Sequence, residues 1–161
     1  MKPKLDANFI NPFISGTVST LKIQCSVDAH AGTAFLKSKT SPKLKTDIAG
    51  LIGITSEAFR GNIAICFPEK TFLGIMSQML GEEFTEINNE VEDGAGELMN
   101  IIFGTAKKVL NEQGYTIRKA LPTVIRGMGL EISNLSMVPV LILPFESTVG
   151  VFQIEITLDM D

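Results

Sequence analysis

The chain has 161 residues, 45% of them hydrophobic and 20% charged, which is too apolar for a disordered segment and long enough to bury a core without staples. A formal net charge of −4 offers no basic field to a phosphate backbone or an anionic bilayer, so nucleic-acid and electrostatic membrane binding are set aside and proteins are the expected partners. The two cysteines, Cys25 and Cys66, stand far apart and outside any C-x-x-C pattern, which points to neither a thiolate metal site nor a disulfide framework and fits a reducing cytoplasm.

Met1 to Asn11 meets Asp6, Asn8, Asn11 and Pro12 before any long apolar run, so it does not read as a secretory signal. From Leu5 to about Gln24, Phe9, Ile10, Phe13, Ile14, Val18 and Leu21 recur at helical spacing. Pro12 and Gly16 are the weak points of the predicted helix, which is either kinked or starts near Asn11. A short extended run over Ala31 to Lys37 follows, then a polar loop from Lys39 to Lys45 containing Ser41-Pro42. Asp47 to Ile54 and Ala58 to Phe67 are isoleucine-rich runs separated by Thr55, Ser56 and Glu57, the pattern of an antiparallel hairpin. After Pro68-Glu69, the residues Phe72, Leu73, Ile75, Met76, Met79 and Leu80 fall at spacings of three and four, predicting a short amphipathic helix that Gly81 ends.

An acidic connector, Glu82 to Glu86, leads to Asn88 or Asn89, either of which can cap a longer helix with Glu90, Glu92 and Asp93 at its positive end. That helix is expected to run to about Gly114. Val124-Ile125, Met137 to Leu143 and Val149 to Leu158 read as three strands with the last two paired, broken by Pro122, Gly127-Met128-Gly129 and Pro144 to Ser147. The most apolar stretch, Ser136 to Pro144, is shorter than the roughly 20 residues of a membrane-spanning helix. No linker rich in Pro, Ser or Gly interrupts the chain, so residues 1–161 are expected to form a single domain. Its class is α+β, an antiparallel or mixed sheet of about six strands layered with two long helices.

The commonest catalytic signals are absent. The one histidine, His30, sits in a short connector with no nucleophile arranged beside it, and there is no G-x-x-x-x-G-K-S/T loop, no G-x-G-x-x-G after a strand and no H-E-x-x-H. Gly127-Met128-Gly129 precedes more strand instead of opening a helix, so it reads as a β-turn or bulge and not as a phosphate loop. The seven methionines lie mostly at core-facing positions, where they fill gaps.

The long helix is the informative element. At 100° per residue, Val91, Ala95, Leu98, Met99, Ile102, Phe103, Ala106, Val109 and Leu110 gather on one side, which is expected to pack on the sheet. Asp93, Glu97, Asn100, Gly104, Lys107, Lys108 and Asn111 lie opposite, with Gly96 at the border. Each glycine inside a helix costs roughly 1 kcal/mol relative to alanine, so Gly94, Gly96 and Gly104 need a reason. Two accounts stand on the residues alone. Either a neighbouring element of the chain approaches closely and the polar face is merely solvated, or a partner needs the missing side chains.

Asp93-Gly-Ala-Gly-Glu97-Leu-Met-Asn100-Ile-Ile-Phe-Gly104-Thr-Ala-Lys107 resembles the D/S-x-x-x-E-x-x-N signature of the CheC, CheX and FliY group of chemotaxis phosphatases, in its CheX form. The likeness extends through Asn11-Pro12-Phe13-Ile14, Phe67-Pro68-Glu69 and Met79-Leu80-Gly81-Glu82-Glu83, and so covers most of the chain. E-x-x-N alone is a weak pattern. Its place on a long amphipathic helix after Leu80-Gly81, and the glycine four residues beyond Asn100, make it specific.

The resemblance implies an enzyme that hydrolyses the aspartyl phosphate of a CheY-type response regulator. Mg2+ would sit on the partner receiver domain and no cofactor on this chain. It further implies that Asn100 orients the attacking water, that Glu97 docks on the receiver lysine, that Asp93 supports the docking, and that Gly96 and Gly104 leave room for the partner. A cytoplasmic homodimer is expected as in relatives, and the apolar Met137 to Leu143 run is suited either to burial against a second subunit or to a core position. Aligning Asn11 with Asn100 reveals a faint repeat at a spacing of 89 residues. Asn8 then occupies the slot of Glu97 and Pro12 follows Asn11, so the first helix is expected to be inactive. The alternative function is a non-catalytic module of the same fold that docks on a response regulator or a flagellar switch component.

Overall fold

A computed structural model describes residues 7–57, 59–119, 121–131 and 138–159. The predicted starts at Leu5, Ala58 and Met137 lie outside the described residues. Helix α1 (Ala7–Cys25) continues unbroken through Pro12, which is buried along with Phe9, Phe13, Leu21 and Cys25. The proline ring removes one backbone donor near the helix start, and the buried stripe holds the helix together across that gap. Helix α2 (Glu69–Leu80) ends as its sequence predicts, with Gly81 at φ 66° and its N–H donating to the Ser77 carbonyl. Helix α3 (Asn89–Glu112) takes Asn88 as its cap, the side-chain oxygen accepting from the Val91 N–H at 2.9 Å.

Eight strands form one sheet among the described residues. They are β1 (Ala29–Ala31), β2 (Phe35–Leu36), β3 (Thr46–Thr55), β4 (Arg60–Phe67), β5 (Arg118–Lys119), β6 (Thr123–Leu130), β7 (Val140–Ser147) and β8 (Gly150–Asp159). All of the pairings are antiparallel. The order is β1-β7-β8-β4-β3-β5, with β2 also on β7 and β6 also on β3. The two strands beyond the expected six arise because the Ala31 to Lys37 run divides into β1 and β2 and because β5 adds two residues. The Val124-Ile125 strand extends into β6 through Gly127-Met128-Gly129, where the register against β3 shifts between Thr46 and Ile48. Asp47 spans that irregularity, accepting from the Gly129 N–H at 3.3 Å and from the Glu69 N–H of α2 at 2.9 Å.

The hairpins β3–β4 and β7–β8 meet at the centre, with Ile63 opposite Ile156. The strand that follows each long helix then covers the hairpin of the other half, β1 on β7 and β6 on β3. This is the two-fold plan that the faint repeat anticipated. The run from Val140 onward is therefore interior, paired with β8 on one side and with β1 and β2 on the other, which is the core position and not a free edge.

All three helices share one hydrophobic core with one face of the sheet, built from Ile48, Ile52, Ile63, Ile65, Ile154 and Ile156 below and Phe13, Phe72, Met99 and Ile102 above. The other face has a smaller cluster, Ala49, Ala64 and Cys66. There the buried Glu155 receives the Lys37 ammonium at 3.1 Å and the Cys66 thiol at 3.4 Å. Burial pushes the Cys25 thiol up to about 11, and burial beside the Glu155 charge pushes Cys66 higher still. Both cysteines are free, buried and held as thiols, so neither is a nucleophile. No helix among the described residues is long and apolar enough to cross a membrane.

Candidate functional site

Helix α3 lies over β3 and β6, toward one end of the sheet, because its apolar stripe has a complementary hollow beneath it. Val91, Ala95, Leu98, Met99, Ile102, Phe103, Ala106 and Leu110 are buried. Met99 fills the space above Gly50 of β3, where any Cβ would overlap its sulfur. On the flank, α1 comes close at Gly16, whose Cβ would stand 3.2 Å from the Ile102 carbonyl oxygen. Val109, counted on the buried side from its spacing, is 37% exposed. It lies on the flank of the stripe, away from the arc centred on Met99 and Ala106.

The opposite face carries the predicted site. Asp93, Glu97 and Asn100 are exposed, and Gly96 and Gly104 are half-buried. Spacings of four, three and four place Asp93, Glu97, Asn100 and Gly104 along one line of the helix surface, so the structure brings all of them onto one presented edge. Lys108 is exposed as expected, whereas Lys107 is half-buried and lines a small recess with Phe13, Phe103 and Ile117. Asn111 is exposed as expected, and its amide is also used within the chain: its Oδ1 accepts from the Ile117 N–H at 2.6 Å and its Nδ2 donates to the Ile117 carbonyl at 3.3 Å. That pair ties the end of α3 to the approach of β5.

The three helical glycines separate into different roles. A Cβ on Gly94 would lie 2.5 Å from the Met76 sulfur of α2, so intramolecular packing explains it. Among the described residues, a Cβ on Gly96 would make only an ordinary contact, 3.7 Å from Val124, and one on Gly104 would meet nothing within 4 Å. The fold therefore does not require a glycine at 96 or 104. At 104 in particular a helix-weakening residue stands where a side chain would have clear space, one turn beyond Asn100.

Sequence reasoning missed Arg126 on β6. Its Nη1 donates to the Ile87 carbonyl at 2.8 Å, its Nη2 reaches Asn89 Oδ1 at 3.5 Å, and its Nε lies 3.3 Å from Glu92 Oε2. An isolated arginine on an exposed strand carries no local signal, because its partners lie some forty residues away. On α1, Asn8 and Asn11 are exposed at the positions matching Glu97 and Asn100, so an amide stands where α3 has the Glu97 carboxylate.

Chemically, the edge of α3 offers one amide, two carboxylates and clear space at the glycines. It holds no strong base or nucleophile, and among the described residues no group of three or more His, Cys, Asp or Glu gathers to hold a metal ion. A cavity of about 420 Å3 lies on the other face of the sheet, lined by Lys37, Leu44, Thr46, Val140 and Glu155 and by no residue of α3. The arrangement suits insertion into a partner's cleft and does not suit engulfing a small substrate.

Residues 48–146 match the model of the family described as Chemotaxis phosphatase CheX. The chain is 24% identical over 135 residues to the CheY-P phosphatase CheX of Thermotoga maritima, covering 83% of this chain and 85% of that protein. It is 35% identical to the chemotaxis protein CheX of Vibrio vulnificus, whose crystal structure superposes with a TM-score of 0.88 over 95% of this chain and 100% of that one. The crystal structure of the CheX–CheY–BeF3–Mg2+ complex from Borrelia burgdorferi contains a chain 25% identical, with a TM-score of 0.78 over 96% of this chain and 99% of that one.

Proposed function

Since the chain belongs to the CheX family of chemotaxis phosphatases, we propose that it hydrolyses the aspartyl phosphate of a CheY-type response regulator by inserting the exposed edge of α3 into the receiver's active site. The observation that carries this reading is the line Asp93, Glu97, Asn100, Gly104, all presented outward from a helix whose other side is fixed in the core. The named complex of a relative with CheY and Mg2+ supports the class of partner. In that reading the divalent ion belongs to the receiver.

An aspartyl phosphate is a reactive mixed anhydride, and phosphoryl transfer depends mainly on positioning and electrostatics. What this chain supplies is a water held in line with the scissile bond. The amide oxygen of Asn100 accepts a hydrogen bond from that water and aims it at phosphorus. The water oxygen bonds to phosphorus, the bond from phosphorus to the aspartyl oxygen breaks, and inorganic phosphate leaves with the regenerated carboxylate. Glu97, three residues earlier and so on the same edge, pairs with the lysine beside the phosphoryl group and sets the depth of insertion. Asp93 extends the contact one turn toward the helix start. The reading is tested by following the decay of a phosphorylated CheY-type regulator with and without this chain. An unchanged decay against the regulators of the same cell would leave only docking.

Gly104 gives a test that separates partner contact from solvated surface. Gly104→Ala removes roughly 1 kcal/mol of helix penalty and collides with nothing in the chain, so thermal unfolding should move up by a few degrees. If the receiver backbone approaches at that position, the same variant should lose roughly 5- to 20-fold in kcat/KM. A stabilised variant with full turnover would remove Gly104 from the interface.

A further inference from the structure

Arg126 lies opposite Ile48, a residue of the helix-side core, so its side chain rises toward α3. The guanidinium spans the start of the helix, touching the residue before the cap (Ile87), the first helical residue (Asn89) and the first turn beyond it (Glu92). Arg126 and Glu92 are partly exposed, 39% and 29%, so the ion pair alone would be weak. The planar fork changes that, because one rigid group fixes three points at once.

The outer end of α3 has little else to hold it from the side of β6. Gly94 turns toward Met76 of α2, Gly96 offers no side chain, and the Val124 methyl is only at ordinary contact distance from a Cβ built at 96. Two glycines also make the stretch between Asp93 and Glu97 intrinsically weak in helix propensity. Asn100 is anchored differently, through the neighbouring Met99 seated over Gly50. The docking carboxylates and the water-orienting amide thus rest on separate supports.

We propose that Arg126 is a positioning residue for partner docking: it clamps the first two turns of α3 to the sheet edge and so holds Asp93 and Glu97 at the angle at which they meet the receiver. This rests on the function proposed above. Because the clamp acts on the docking end, its loss should appear in KM and spare kcat, the reverse of what loss of Asn100 would produce.

The experiment compares Arg126→Gln and Arg126→Lys with the wild-type chain in two measurements, steady-state hydrolysis of a phosphorylated CheY-type regulator and amide hydrogen exchange of the chain alone. Arg126→Gln should raise KM roughly 5- to 20-fold with kcat within about twofold. It should speed exchange about tenfold over residues 92–97 and leave residues 102–110 unchanged. Arg126→Lys keeps the charge and loses the fork, and should behave like Arg126→Gln. Unchanged exchange at 92–97, accelerated exchange across the whole chain, or wild-type KM in the lysine variant would each overturn the clamp. A wild-type chain with no phosphatase activity would instead overturn the function proposed above, and the exchange data would then decide alone whether Arg126 fixes the helix.

Discussion

Asn100→Ala is expected to lower kcat for hydrolysis of a phosphorylated receiver by about 2–4 kcal/mol of transition-state stabilisation, on the order of 30- to 1000-fold. KM should stay within a few-fold and the unfolding midpoint should not fall. The structure makes this separation possible because Asn100 is exposed on the outer edge of α3 while the packing of the same turn is carried by Leu98, Met99 and Ile102. Truncating the amide opens no cavity, and alanine is the better helix former. A loss of turnover would therefore report on the water and not on the fold. Binding to a receiver charged with beryllofluoride, which caps the aspartate as a phosphoryl analogue, should survive. Full hydrolytic activity in the variant would sink the mechanism, whereas lost binding together with lost activity would make Asn100 a docking residue.

The second large effect is buried. Gly50→Ala would drive a methyl into the Met99 sulfur, and Met99 is only 1% exposed, so its thioether cannot simply swing out into solvent. Overpacking of this kind costs about 1–3 kcal/mol, which for a chain of this size lowers the unfolding midpoint by several degrees. Activity should drop as well, because lifting Met99 displaces its neighbour Asn100. The double variant Gly50→Ala/Met99→Ala removes the colliding group and should be more stable than the sum of the two single losses predicts. If the two losses simply add, α3 does not rest on Gly50 in the way described.

Much of this was legible in the sequence, and the parts that were not share a cause. The hairpin β3–β4, the glycine stop of α2, the cap of α3 and the line of Asp93, Glu97 and Asn100 all follow from local chemistry or from helical periodicity. Strands β1, β2 and β5 are two or three residues long, too short to show an alternation. Asn111 looked like any exposed amide because the backbone it satisfies, at Ile117, lies beyond a turn whose shape the pattern does not reveal. Arg126 was invisible for the same reason over a longer range. The glycines show the limit from the other side: spacing marked all three, and only the packing distinguishes Gly94, needed by Met76, from Gly104, which the chain itself does not need.

The crossing-over of the two halves has a kinetic consequence. The central ladder joins residues 60–66 to residues 153–159, so its closure must bring together strands separated by α2, α3, β5, β6 and β7 before any bond at the middle of the sheet can form. Contacts so distant in sequence are entropically late, and chains dominated by them fold slowly. A fragment ending after α2 would contain β3–β4 with both rims bare, since β6 and β8 belong to the other fragment. Neither half is a folding unit, and two separately made halves should acquire cooperative structure only when mixed. During synthesis the first hairpin must wait, exposed, until the last strand has left the ribosome.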